Sequence, residues 1–278
     1  MRTTKLFTRL TSLVLSFIIL FTLFAPQSAR AEAKTINGVQ IETIEDNDQY
    51  IILKGTKNGA SLTLKQDKQT LNISLQGDRS LFKNDAQTLA SRQQTSSDIT
   101  DYQVVINEIG NNNEIDATFT DLTTKQEIST VHNSTGEVTP QVVFLVPLGV
   151  VVGEALLAAL LASAIAVTIG GIVWTTVGSI KEKIRNQQYD HYMAKVMQGD
   201  VYIGNPISLT QASNRLAGIS PLDNNVWSKN SASAKQVARL AGGGIEPIGP
   251  ELQVEQQPNI FYYVHYHTWN RAGGHSFF

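Results

Sequence analysis

Apolar and polar residues alternate with a period of two from Thr35 to about Val131, as in VQIETI, YIILKG, ASLTLKQ and TLNISLQ. A period of two places successive side chains on opposite faces of a β-strand. Asn37-Gly38 and Asn58-Gly59 interrupt this pattern and are typical of hairpin turns. The pattern predicts an antiparallel, mostly β module with one face open to water. The segment NDAQTLASRQQTSSDIT breaks the alternation and predicts a short helix or a loop.

A long apolar segment follows, and from Ala155 to Ile180 it carries no charge over 26 residues. A helix of this length could cross a hydrocarbon core of about 30 Å. Basic residues at positions 181, 183 and 185 come next, as they do on the cytoplasmic side of a membrane span. The segment is also rich in Ala and Gly, which fits a hydrophobic helical hairpin buried in protein. A membrane span and a buried hairpin both remain open for the connector, residues 142–180.

Helical and strand signals return beyond this connector. An amphipathic helix is expected around KEKIRNQQYDHYMAKVMQGD. Asn230 or Ser231 can cap a further helix, whose apolar residues recur at helical spacing until Gly242–Gly244 end it. The aromatic and β-branched segment IFYYVHYH predicts a strand. The expected fold class is α+β: an antiparallel β-rich N-terminal module, a hydrophobic helical connector and a small α+β C-terminal domain.

The composition predicts where the protein is located and excludes catalysis that depends on cysteine. Residues 1–31 combine a positive start, an apolar run and a small-x-small ending at Ala29 and Ala31, which predicts a secretory signal and a mature chain from Glu32. The expected location is therefore secreted or associated with the cell envelope. The chain has no cysteine, which excludes thiol catalysis and cysteine-ligated zinc.

Charge divides the mature chain into an acidic front and a mildly basic end. Residues 32–141 carry 16 acidic and 9 basic side chains, a net charge of −7, whereas residues 181–278 carry 7 acidic and 9 basic side chains, a net charge of +2. We therefore expect an acidic β-rich domain over 32–141 and a C-terminal domain over 181–278. A charge of +2 is too small to establish nucleic-acid binding.

Three of the five histidines lie in the last fourteen residues. On a strand, His265 and His267 would share one face. If residues 268–274 form a loop that contains two glycines, HSFF returns beside the strand and His275 lies opposite His267. The sequence thus predicts a compact cluster of imidazoles, with Arg271 at its rim.

This cluster favours metal-independent cleavage of RNA, which would need no cofactor. One imidazole would take the proton from a ribose 2′-OH and another would protonate the leaving 5′-oxygen. Cationic side chains would stabilise the phosphorane. The candidate catalytic residues are His265, His267, His275 and Arg271, and the candidate substrate-binding residues are Lys235, Arg239 and Trp227.

Two other interpretations of the cluster remain open. The three imidazole nitrogens could ligate zinc. Alternatively, the histidines could simply pack a small aromatic sheet. The remaining two histidines, His132 and His191, are expected to be ordinary surface residues.

The segments NNVWSKNSASAKQVARLAGGG and YYVHYHTWNRAGGHSFF, together with the layout before them, resemble secreted toxins of Gram-positive bacteria that have a polymorphic-toxin-like C-terminal domain. The resemblance covers about the last 55 residues well and the front only in layout. It implies a toxin-type effector, often with ribonuclease activity, and it points to His265, His267 and His275. An immunity protein would be the expected partner. The sequence shows no obvious delivery domain.

Three functions follow as expectations. The first is a secreted bacterial toxin whose C-terminal domain cleaves RNA. The second is a toxin that inserts into membranes through residues 142–180, and the third is a non-enzymatic cell-envelope protein anchored by the same residues. The histidine variants and charges placed in the apolar segment would distinguish these functions.

Overall fold

Among the residues that the structure describes, sixteen strands join into one large, predominantly antiparallel sheet. The structure is a computed structural model, and it describes residues 34–83, 98–110, 114–130, 146–218, 224–252 and 262–278. All of these residues fall within one compact unit. The chain is therefore a mixed α and β protein with an antiparallel-dominated sheet. The expected signal over 1–31 and most of the predicted break at 84–100 lie outside the described residues.

The first eight strands follow one another as an antiparallel series, and they are β1 (Lys34–Ile36), β2 (Val39–Asp46), β3 (Tyr50–Lys57), β4 (Ala60–Asp67), β5 (Ile73–Asp78), β6 (Ile99–Ile109), β7 (Ile115–Asp121) and β8 (Glu127–Ser129). Alternate residues are buried along β3 to β7, as the period of two predicts. Asn37-Gly38 connects β1 to β2 and Asn58-Gly59 connects β3 to β4, all four residues having positive φ. The two predicted hairpins are therefore confirmed.

Helix α1 (Leu148–Ser163) packs against the apolar face of these strands and contacts β2, β3, β4 and β7. Leu156 and Leu160 are fully buried in the same core as Phe119 of β7. The contact is close, because a Cβ added at Gly153 would lie 2.9 Å from the Phe119 ring. The apolar character of α1 is thus explained by burial against the sheet.

Ala155–Ile180 forms neither the continuous helix of a membrane span nor a simple helical hairpin, the two alternatives for the connector, because two strands lie within it. After α1 the chain forms a hairpin of β9 (Ala166–Ile169) and β10 (Ile172–Thr176), and then helix α2 (Val177–Arg185). Gly170 and Gly171 take positive φ at the turn of this hairpin. Within the part of the chain that the structure describes, no helix has both the length and the apolar character that a membrane span requires.

The remaining strands extend the same sheet, and they are β11 (His191–Met197), β12 (Asp200–Ile207), β13 (Asn225–Ser228), β14 (Ile248–Glu251), β15 (His265–His267) and β16 (Ser276–Phe277). β9 joins β6 through the parallel pair Ile106 and Ile169, and β10 pairs with β12. Beyond β12 the strand order is β11, β13, β16, β15 and β14. The sheet therefore continues from the acidic front to the C-terminal strands.

Two short helices cover this second half, α3 (Leu209–Leu216) and α4 (Ser231–Ala241). The α4 prediction is confirmed, because the Asn230 side chain accepts a hydrogen bond from Ser233 N and the helix ends at Gly242. The amphipathic helix expected over residues 181–200 is much shorter in the structure than in the prediction. α2 ends at Arg185, and the following residues form β11, in which His191 is buried rather than at the surface.

Candidate functional site

The C-terminal strands place the three histidines side by side. In β15 and β16, His265 pairs with Phe277 and Tyr266 pairs with Ser276, so the antiparallel return predicted for HSFF is confirmed. The β15 strand itself is shorter than predicted, since Tyr262–Val264 are not in a regular strand. Continuing the register by one position brings His275 opposite His267.

Two glycines allow this return to pack closely. A Cβ at Gly273, where φ is +86°, would lie 2.0 Å from the Leu216 carbonyl oxygen. A Cβ at Gly274 would lie 2.3 Å from the Asn224 carbonyl oxygen. Any larger residue would force the loop away from these backbones. The glycines therefore set the position of His275.

The three imidazole rings form a triangle. Their centroids are 4.9 Å apart between His265 and His267, 4.9 Å between His265 and His275, and 4.7 Å between His267 and His275. The side chains of His265 and His267 are each 12 % exposed. The cluster is thus largely buried, and a small part of these two side chains is exposed to solvent.

Asn225, which is fully buried in β13, holds His275 in place. Its side-chain oxygen accepts hydrogen bonds from the backbone N–H of His275 at 2.7 Å and from Nδ1 at 2.9 Å. The backbone donor fixes this atom of Asn225 as oxygen, so Nδ1 of His275 carries a proton and Nε2 carries the lone pair. Burial lowers the pKa of His275 to about 4, which favours the neutral imidazole.

A backbone carbonyl orients His265. Nδ1 of His265 donates to the carbonyl oxygen of Tyr263 at 2.9 Å, which leaves the lone pair on Nε2. Tyr263 is itself held by a hydrogen bond of 3.1 Å from its hydroxyl to Asp200 and by an edge contact with Trp227. Burial raises the pKa of both Tyr263 and Asp200 above their usual ranges.

Glu251, at the end of β14, orients His267. Nε2 of His267 lies 3.0 Å from Oε1 of Glu251, so this nitrogen donates and Nδ1 keeps the lone pair. Arg271 donates to both carboxylate oxygens at 2.7 and 2.9 Å and thereby lowers the pKa of Glu251. Burial is the main reason that the pKa of His267 is lowered.

The structure brings the four candidate catalytic residues together, and it shows each of the three candidate substrate-binding residues engaged in other contacts. Trp227 is only 1 % exposed, so its ring offers no free surface to a substrate. Lys235 on α4 forms an ion pair with Glu246. Arg239 donates from Nε to the carbonyl of Gly244, near the end of the same helix. These contacts give no support to a role in substrate binding.

Sequence reasoning missed three residues that orient the cluster, Glu251, Asn225 and Tyr263. Asn225 lies 50 positions before His275, and the proline-rich segment around Glu251 gives no strand signal. The sequence offered one signal for Glu251, namely its carboxylate, because carboxylates commonly orient the histidines of metal sites. Comparison with known proteins assigns no function to these residues, because no protein family, curated protein or solved structure matches this chain.

Proposed function

We propose that the chain is an exported toxin-type effector whose C-terminal part cleaves RNA at the histidine cluster. The observation that carries the proposal is the convergence of three imidazoles, oriented by separate hydrogen bonds, at a partly exposed position. The hydrogen bonds set the tautomer and the orientation of each ring, and a group that transfers a proton needs both to be defined. An immunity protein that covers this position would be the natural partner of such a toxin.

Cleavage of RNA makes defined demands on the site. The ribose 2′-oxygen forms a bond to the adjacent phosphorus while the bond from phosphorus to the 5′-oxygen breaks. A base removes the 2′-OH proton and an acid supplies a proton to the leaving oxygen. Positive charge must stabilise the negative phosphate as the bonds change. Arg271 meets the last demand poorly, because both of its terminal nitrogens are engaged by Glu251.

The proposal does not include membrane insertion by the apolar segment. The residues of α1 that would face lipid, such as Leu156 and Leu160, pack instead against the N-terminal strands. Insertion would have to remove them from this core and expose the strands to water. The burial of α1 therefore favours a structural role for the segment.

The test uses the mature chain, residues 32–278, purified and incubated with a single-stranded RNA and with DNA of the same sequence. We expect RNA fragments that end in a 2′,3′-cyclic phosphate and begin with a 5′-OH. DNA should survive because it has no 2′-OH. His275→Ala and His267→Ala should each slow cleavage by about 100-fold or more, the usual contribution of a proton-transfer group.

Controls separate the site from the fold. Glu182→Gln, at a carboxylate on α2 that is 78 % exposed, should cleave as the wild type does. Circular dichroism should show that both histidine variants remain folded. A folded wild-type chain that leaves RNA intact, or full activity in both histidine variants, would refute the proposal.

A further inference from the structure

The same cluster has the donor arrangement of a metal site. One ring nitrogen from each of His265, His267 and His275 lies within 4.8 Å of the other two. Three imidazoles around a zinc ion have metal–nitrogen distances of about 2.0–2.1 Å. Nitrogens that share one tetrahedral ion at this distance are about 3.4 Å apart, so the rings would have to move closer together when the ion binds.

One nitrogen of each ring already lies at hydrogen-bond distance from an oxygen. Nδ1 of His265 donates to the Tyr263 carbonyl, Nδ1 of His275 donates to the Asn225 amide oxygen, and Nε2 of His267 donates to Glu251. Histidines that ligate metals almost always donate their second N–H to a carbonyl, a carboxylate or water, which fixes the tautomer and the ring orientation. All three histidines here show this pattern.

One carboxylate, that of Glu251, lies beside the cluster and is paired with Arg271. Glu251 places a carboxylate beside two of the rings, with its Oε1 at 3.0 Å from Nε2 of His267 and 3.9 Å from Nε2 of His265. Arg271, whose side chain is half exposed, donates a hydrogen bond to each oxygen of this carboxylate. The carboxylate is thereby fixed in position, and it would strengthen the ligand character of His267.

From this geometry we infer that His265, His267 and His275 bind one divalent transition-metal ion of the zinc type, each through one ring nitrogen. Glu251, Asn225 and the Tyr263 carbonyl act as positioning groups. Three protein ligands leave a fourth tetrahedral position for water or a substrate oxygen, as in catalytic zinc sites. Imidazole ligands suit zinc, copper, nickel and iron, and the absence of cysteine from the chain is compatible with this choice.

The catalytic meaning of the site rests on the proposed RNA cleavage. The ion would supply the positive charge that Arg271 cannot give while it is paired with Glu251. Metal-bound hydroxide would accept the 2′-OH proton and become water, and this water would return a proton to the leaving 5′-oxygen. The ion would then replace the imidazole acid and base of the metal-independent scheme.

Metal binding is tested without RNA. The mature chain, residues 32–278, is stripped with a chelator and titrated with Co²⁺ while the visible ligand-field bands of tetrahedral cobalt are recorded. Zn²⁺ is then added to displace the cobalt, and the zinc content is measured after dialysis. We expect one ion per chain, and a loss of affinity of about 100-fold or more in His265→Ala, His267→Ala and His275→Ala.

A variant of a positioning residue distinguishes a loss of metal binding from a loss of the fold. Glu251→Gln keeps a hydrogen-bond acceptor but removes the charge, and it should weaken Co²⁺ binding by about 10-fold. Glu182→Gln is the matched control and should bind as the wild type does. A folded chain that binds no Co²⁺ or Zn²⁺, or binds them equally well after all three histidine changes, overturns the metal site. Tight metal binding without RNA cleavage supports the metal site and refutes only the proposed function.

Discussion

Asn225 and His275 are joined by two hydrogen bonds that end on the same amide oxygen, at 2.7 Å from the backbone nitrogen and 2.9 Å from Nδ1. The two residues belong to parallel neighbours in the sheet, because β13 pairs with β16 directly after His275. The position and the tautomer of this imidazole are thus set by a buried residue 50 positions earlier.

This relationship predicts the effect of removing the amide. Asn225→Ala leaves two donors of His275 without their acceptor, and we expect a loss of about 1–3 kcal/mol in the free energy of unfolding. Urea titration measures this loss. Asn205→Ala, at an exposed asparagine of β12, is the control and should change the free energy by about 0.5 kcal/mol or less. Equal effects of the two changes would show that the Asn225 contacts contribute little.

Arg271 and Glu251 are expected to act as one unit. Glu251→Gln and Arg271→Gln should each weaken Co²⁺ binding, because the first removes the carboxylate that orients His267 and the second removes the side chain that holds this carboxylate in place. The double variant should lose little more than Glu251→Gln alone, as coupled residues are non-additive. Fully additive losses in the cobalt titration would mean that Arg271 acts independently of Glu251.

Acid should destabilise the N-terminal half through Asp121. This carboxylate is 2 % exposed and accepts a hydrogen bond of 2.7 Å from Nε of Arg79, which holds its pKa well below the usual range. Because the folded pKa is lowered, the contribution to stability is complete above the unfolded pKa of about 4 and is lost as the pH falls towards the folded pKa.

The measurement compares urea unfolding of the wild type and Asp121→Asn from neutral pH to about pH 3. The variant should be less stable at neutral pH, and the difference should shrink as the pH falls below about 4. Asp48→Asn, at an exposed carboxylate in a turn, is the control. A difference that does not depend on pH would contradict the assignment to Asp121.

Charge placed in α1 should reveal its structural role. Leu160 is fully buried, so Leu160→Lys puts an unpaired ammonium into the core and should cost about 4 kcal/mol or more. Ala162→Lys changes an exposed position of the same helix and should have little effect. Chemical denaturation of the two variants in aqueous buffer measures both effects. Equal stability of the two would show that α1 is not held in the core as described.

Local signals were sufficient for several elements of the fold. The Asn-Gly turns, the period of two in the front half, and the cap and glycine stop of α4 each depend on neighbours within a few residues. The return of His275 beside His267 could be predicted for the same reason, since it needs only a short loop with two glycines. Such features are determined by the residues that form them and by their close neighbours in the sequence.

Other features depend on packing between distant segments. The apolar run of 26 residues gave no indication that its helix ends at Ser163, although Gly170-Gly171 between apolar residues is a turn signal. Trp227 was assigned to substrate binding by residue type, but it lies in β13 between β11 and β16 and is buried there. Glu251 and Asn225 reach the histidines through strand pairing, which the sequence does not display.

The central claim is that the histidine cluster is the reaction centre of a toxin that cleaves RNA. Its most direct test is expression of residues 32–278 inside bacterial cells, wild type beside His275→Ala, with growth and total RNA followed together. We expect growth arrest with RNA cleavage in the wild type, and normal growth with intact RNA in the folded variant. Normal growth with intact RNA in cells that contain folded wild-type protein, or arrest that persists in the variant, would contradict it.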